Sequence, residues 1–331
     1  MAGFSKIVGQ EHIKEHLQEA ILSRMISHAY ILQGEKGSGK SMIADAFAMT
    51  LLCEAGEAEP CMTCHSCKQA ASGNHPDIRY LIPEKPNVIK VDEIRRQIVN
   101  DVGIKPYSSE YKIYIIPDAE RMNTAAQNAL LKTLEEPPAY VVILLLCSNE
   151  TMLLETIRSR CVTLSLYPLQ DEQVQEYLMK NEQIPDYQAR TCAAFARGNI
   201  GRAKALFHNN EFEELSREAV FLVKNIKKMD VAQIGEEIKK ITKLQTEIKE
   251  FLDYLFLWYK DVAFCKATGS TEGLLHLEET YSLEQMAKEC SFEGINKILS
   301  AIEHAKKRLD ANVNTDHTLE LLLFAMKENE T

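Results

Sequence analysis

The chain has no long apolar run. Its longest, YVVILLLC at 140–147, spans eight residues, whereas a bilayer crossing takes about 20. The first residues, MAGFSKIVGQEHIKEHL, contain no apolar core of the kind a secretory signal needs. No membrane association is expected, and the expected location is the cytoplasm. Excess positive charge is lacking too: 38 Lys+Arg against 48 Asp+Glu give a net charge of −10. A free-standing nucleic-acid binder needs a concentrated basic face, so this balance suits a role among other proteins better. Tandem repeats and low-complexity segments are absent. Cysteine is not scarce, at nine residues, but a reducing compartment argues against a disulfide framework.

What remains is a globular chain of 331 residues, 45% apolar, with room for two or three domains. Short apolar runs at 29–32, 77–82, 112–118, 141–147 and 162–166 read as strands. Helical patterns lie between them, at 91–102, 124–138 and 151–158, the second stopped by Pro137 and Pro138. This alternation predicts a parallel sheet with helices on both faces. Near Pro168 the pattern changes, and only helical periodicity follows. Residues 170–208 read as a three-helix unit. Two later stripes, Ile295, Ile298, Leu299, Ile302, Leu309 and Leu319, Leu322, Leu323, Met326, read as core against neighbouring helices, with an assembly surface as the alternative.

The stretch GEKGSGKS at 34–41 fits G-x-x-x-x-G-K-[ST] and stands between an expected strand and an expected helix. In such a loop, the backbone N–H groups at Gly34, Gly37, Ser38 and Gly39 converge on phosphate oxygens and the helix N-terminus adds its dipole. Lys40 would reach the β- and γ-phosphates and Ser41 would hold Mg²⁺. The expected ligand is ATP or ADP with Mg²⁺; a loop kept for its fold after losing its ligand is the alternative.

A hydrolase of this kind needs an Asp for the metal at the end of the third strand, and then a Glu to polarise water. Here the stretch is IIPDAER. Asp118 stands where the metal Asp belongs, but the next residue is Ala119. Glu120 follows, and in a continuing strand its side chain would turn to the opposite face. An irregular backbone that lets Glu120 serve is the alternative.

Four of the cysteines crowd together. Cys53, Cys61, Cys64 and Cys67 have the spacing C-x₇-C-x₂-C-x₂-C, which suits tetrahedral Zn²⁺ with no position open for water, hence a structural site. His65 could replace one ligand, and an iron–sulfur cluster is the lesser alternative. Cys147 and Cys161 read as core residues.

VGQ (8–10), the phosphate loop, the cysteine knuckle, NHPD (74–77), NALLKTLEEPP (128–138) and TIRSRC (156–161) follow in the order seen in bacterial clamp-loader subunits, AAA+ proteins of the DNA polymerase III holoenzyme. The chain resembles this family over residues 1–166; beyond 208 the resemblance rests on helical character. It implies an α/β RecA-like AAA+ parallel-sheet domain at 1–167 with the knuckle (53–67) inserted, a small helical lid domain at 168–208 and an all-α collar domain at 209–331. It also implies gamma/tau and delta partner subunits in a pentameric ring that loads the β sliding clamp on primed DNA.

Two subunit types share these motifs, an ATP-hydrolysing motor and a non-hydrolysing stator. Ala119 in place of the motor's Glu points to the stator. So does the stretch GNIGRA, which puts Gly201 where the motor carries a nucleotide-sensing Arg, although Arg202 is adjacent. The implied role of Arg160, in SRC, is that of an arginine finger reaching a neighbour's ATP site, with Arg158 supporting its loop; without the resemblance Arg160 reads as an ordinary solvated arginine. The competing expectations are a motor subunit that uses Glu120, and a zinc-dependent DNA-binding module.

Overall fold

A computed structural model describes residues 3–85, 87–208, 210–243, 248–311 and 313–330. The chain divides into two compact units, Met1–Gln173 with Asn199–Arg202, and Val174–Gly198 with Ala203–Thr331.

The first unit is built on five parallel strands: β1 (Ala29–Gln33), β2 (Ile78–Tyr80), β3 (Lys112–Ile116), β4 (Val141–Cys147) and β5 (Val162–Ser165). Their order is β2-β3-β4-β1-β5, so the chain crosses over between non-adjacent positions and β5 is an edge. β1 and β4 run from Ala29↔Ile143 to Gln33↔Cys147. Every β4 residue is buried, because both faces of the sheet are covered, as an uninterrupted apolar run requires. Val142, Leu144 and Leu146 enter one apolar layer with Ile13, Leu17 and Phe47. Val141, Ile143 and Leu145 enter the opposite layer with Ile98, Leu130 and Ile157, the period-two alternation of a strand.

The helices of this unit are α1 (Glu11–Leu22), α2 (Lys40–Leu51), α3 (His65–Ala71), α4 (Val91–Ile94), α5 (Thr124–Glu135) and α6 (Glu155–Arg158). Two sequence expectations need correction. The helix expected over 91–102 is α-helical only to Ile94 and continues as a π-helix over Arg95–Val99. The helix expected over 151–158 is a 3₁₀ turn at Glu150–Met152 followed by α6. α5 starts on Asn123, whose side-chain oxygen accepts from the Ala126 N–H at 2.8 Å, an N-cap that satisfies one free donor. Buried Gln127 then ties this helix to the next segment. Its amide donates to the carbonyls of Met122 and Met152 at 3.0 and 3.3 Å, and its oxygen accepts from the Leu154 N–H at 2.8 Å.

Beyond β5 the described residues form only helices: α7 (Asp171–Asn181), α8 (Asp186–Ala196), α9 (Ile200–His208), α10 (Asn210–Asn225), α11 (Val231–Lys243), α12 (Ile248–Thr268), α13 (Thr280–Glu289), α14 (Phe292–Asp310) and α15 (Thr315–Asn329), with two 3₁₀ turns. α12 supplies fully buried Phe251, Leu255, Trp258 and Tyr259; the stripes of α14 and α15 pack into the same core, with Leu299 and Leu309 at its margin. Among the described residues no helix is long and apolar enough to cross a membrane.

The C-terminal end of α15 buries a carboxyl group. Glu330 is 4% exposed and accepts a hydrogen bond from the hydroxyl of fully buried Tyr259. Burial raises its carboxyl from the ordinary 4.5 to about 7, with the Tyr259 hydrogen bond opposing. A carboxyl raised in the folded state favours folding when protonated. Its contribution is therefore complete below pH 4.5 and is lost as pH rises towards 7, by up to about 3 kcal/mol. Glu330→Gln should accordingly raise the melting temperature at pH 8 and flatten its decline between pH 5 and 8. Equal pH dependence of variant and parent would show that Glu330 does not govern it.

Candidate nucleotide cradle, metal centre and exposed arginine

β1 ends at Gln33 and the chain turns at once into residues 34–39. The Gly34 N–H donates to the Cys147 carbonyl at 3.0 Å, extending the β1–β4 ladder into the loop, and the Ser38 N–H closes the turn on Glu35 at 3.1 Å. Gly39, at φ +100°, caps α2; a β-carbon there would touch nothing within 4 Å, so conformation alone calls for glycine. α2 begins at Lys40, with Ser41 exposed in its first turn. The Lys40 ammonium donates to the carbonyls of Gly34 and Glu35. Its burial lowers its pKa, and the carboxylates of Glu120 and Asp118 act in the opposite direction. The Ser38 hydroxyl is buried without a partner. Exposed residues 35–37, a positive helix end and a lysine in the field of two carboxylates are groups that could hold a phosphate chain with its Mg²⁺.

The segment 199–202 closes on this loop. The Gly201 N–H donates to the Gly37 carbonyl at 3.0 Å, and the Asn199 amide donates to the Lys36 carbonyl at 2.9 Å. A β-carbon on Gly201 would stand 2.5 Å from Gly37 Cα and 2.7 Å from its oxygen. No side chain fits there while the loop keeps this position, and a backbone contact fills the space. Sequence reasoning weighed Gly201 and missed Asn199; the GNIG pattern was the available signal.

The third strand stops at Ile116, two residues before Asp118. Asp118 is left-handed at φ 46°, and Ala119–Arg121 form a 3₁₀ turn, a conformation Asp tolerates better than most residues. Strand alternation therefore does not apply to Glu120, and its side chain is not turned away. Its Oε1 accepts from the Ser148 N–H and hydroxyl at 2.9 and 2.5 Å, while Oε2 is buried without a partner. Glu120 is the strongest charge acting on Lys40. Asp118 is paired with Arg121 at 3.2 Å, and Ala119 is fully buried.

The sulfurs of Cys53, Cys61, Cys64 and Cys67 lie within 4.8 Å of one another, a group able to hold a metal ion. Tetrahedral zinc sets its sulfurs about 3.8 Å apart, so these four need close by only about an ångström. Backbone N–H groups of Cys61, Cys64 and Cys67 already point at Cys53, Cys61 and Cys64 Sγ, each at 3.3 Å. Hydrogen bonds from Thr63 lower the Cys61 thiol to about 6, whereas burial raises Cys53 and Cys67. A divalent cation is what lets all four ionise together. His65 is exposed at the start of α3 and stands outside the cluster. Cys147 is buried as expected; Cys161 packs at the core margin.

Arg160 lies between α6 and the edge strand β5, with 35% of its side chain exposed. Its Nη2 pairs with Glu135 Oε1 at 2.9 Å, and Nη1 donates to the Thr156 carbonyl at 2.8 Å and to Ser159 Oγ at 3.3 Å. LEEPP was read from the sequence as a family marker, and the partnership of its Glu135 with Arg160 was missed.

The family described as "DNA polymerase III, delta subunit" matches residues 9–170, and "DNA polymerase III, delta subunit, C terminal" matches residues 221–327. DNA polymerase III subunit delta' of Bacillus subtilis is 32% identical over 323 residues, 96% of each chain. DNA polymerase III subunit tau of the same species is 28% identical over 88% of this chain and 56% of its own. Subunit tau/gamma of Haemophilus influenzae is 37% identical over 55% of this chain and 27% of its own. Strand order, glycine loop and helical second unit define a P-loop protein of the AAA+ kind. More narrowly, the chain belongs to the delta-prime family of DNA polymerase III clamp-loader subunits, which act in DNA replication.

Proposed function

We propose that this chain is the stator of a pentameric clamp loader, assembled with gamma/tau and delta subunits in the cytoplasm. It holds ATP or ADP with Mg²⁺ at Gly34, Gly37, Ser38, Gly39, Lys40, Ser41 and Asp118 without turning it over. Arg160 serves as the finger for a neighbouring motor site, and Cys53, Cys61, Cys64 and Cys67 hold structural zinc. The ring opens the β sliding clamp and sets it on primed DNA. Within the chain, residues 1–167 form the AAA+ domain, 168–208 (α7 to α9) the lid and 209–331 the collar.

The carrying observation is Ala119. It is buried beside Asp118 in the 3₁₀ turn, and a methyl group there can neither take a proton nor orient water. The isolated chain should bind nucleotide and hydrolyse it no faster than background, and when mixed with gamma/tau and delta subunits it should co-purify with them. The second reading, a motor subunit, is favoured by the charge that Glu120 exerts on Lys40 and by its buried, unpartnered Oε2. Steady-state ATP turnover by the isolated chain, abolished by Lys40→Ala, would select it and discard the stator.

A further inference from the structure

We infer that Glu135 is a positioning residue for Arg160, an inference that rests on the finger role proposed above. Arg160 has five N–H donors. The Thr156 carbonyl and Ser159 Oγ engage Nη1, and Glu135 engages Nη2. Nε–H and one Nη2 hydrogen stay uncommitted, enough for a two-pronged contact with a neighbour's phosphate. Three contacts from its own chain fix the plane of a side chain that otherwise has many rotamers, so less freedom is lost when the phosphate is met.

The stability of α5 does not explain Glu135. It is the last residue of that helix, where the helix dipole disfavours negative charge, and Glu136 follows it. Nor does the ion pair explain itself as a stabiliser, since its partners are 35% and 49% exposed and such pairs contribute little. What the position does provide is a fixed anchor. α5 is stopped by Pro137 and Pro138, and Gln127 ties its start to Met152 and Leu154, just ahead of α6 and Arg160. A carboxylate mounted on that frame sets where the guanidinium points.

The test is made in the complex reconstituted with the cognate gamma/tau and delta subunits, by ATP turnover on primed DNA. Glu135→Ala should lower kcat at the site facing Arg160 by about tenfold with KM for ATP unchanged, as misplacement of a reacting group does. Glu135→Gln should lose less, because its amide oxygen still accepts from Nη2. In an Arg160→Ala background neither change should lower turnover further. Parental kcat in Glu135→Ala, alongside a slow Arg160→Ala, would overturn positioning and leave the finger role intact. Parental kcat in Arg160→Ala would remove the finger role itself. Equal losses with and without Arg160 would place the action of Glu135 elsewhere, and faster turnover in Glu135→Ala would make it a restraint; either outcome overturns the inference.

Discussion

Arg160→Ala should slow ATP turnover at the motor site facing this chain by roughly 10³–10⁵-fold, the scale on which a finger arginine acts in phosphoryl transfer. The guanidinium stays charged at any working pH, and its fork of donors matches phosphate oxygens. Arg160 is partly exposed and precedes the edge strand β5, so a neighbouring subunit can reach it without rearrangement of the sheet. Its ion pair with Glu135 adds little to stability, and the isolated variant should melt within a degree or two of the parent and keep its metal. Arg160→Lys should recover only part of the loss, since a point charge cannot make the two-pronged contact. Turnover and clamp loading by the reconstituted complex decide the matter. A fully assembled variant complex working at the parental rate on primed DNA would falsify the finger role.

Metal removal should have the largest effect on the first unit itself. One zinc per chain is expected, and structural zinc in small knuckles contributes on the order of 10 kcal/mol to local folding. Without it, Cys53 and Cys67 would leave two buried thiols and no cross-link between the end of α2 and the start of α3. Hydrogen exchange after chelation should show protection lost over residues 50–75, and Cys67→Ser should reproduce that pattern. The helical second unit should keep its protection. Because burial raises Cys53 and Cys67, protons compete with the metal there, and zinc affinity should fall as pH drops. Metal analysis that finds no zinc, or finds iron with a visible chromophore, would defeat this assignment.

The sheet was legible in the sequence where burial on both faces leaves an uninterrupted apolar run. β4 occupies 141–147 as read, and the glycine loop stands between strand and helix as its pattern demands. The π-helix at Arg95–Val99 was not legible, because Ile94 and Ile98 keep the four-residue spacing of an ordinary helix. At Glu120 the first reading fails, and the irregular backbone given as its alternative is what the structure has. Strand alternation was extended past Ile116, where the left-handed Asp118 had already ended it. The knuckle was legible because its spacing is local. The Glu135–Arg160 pair joins residues 25 positions apart, and no periodicity reports such a contact.

The backbone contact between Gly37 and Gly201 ties two distant positions together against substitution. Any side chain introduced at 201 meets Gly37 Cα and its carbonyl within 2.7 Å, so the phosphate loop must move before an arginine can be accepted there. A loop moved first gives up the Gly201–Gly37 and Asn199–Lys36 hydrogen bonds. Gly37 and Gly201 thus act as one unit, each closing off the space that a side chain on the other would need.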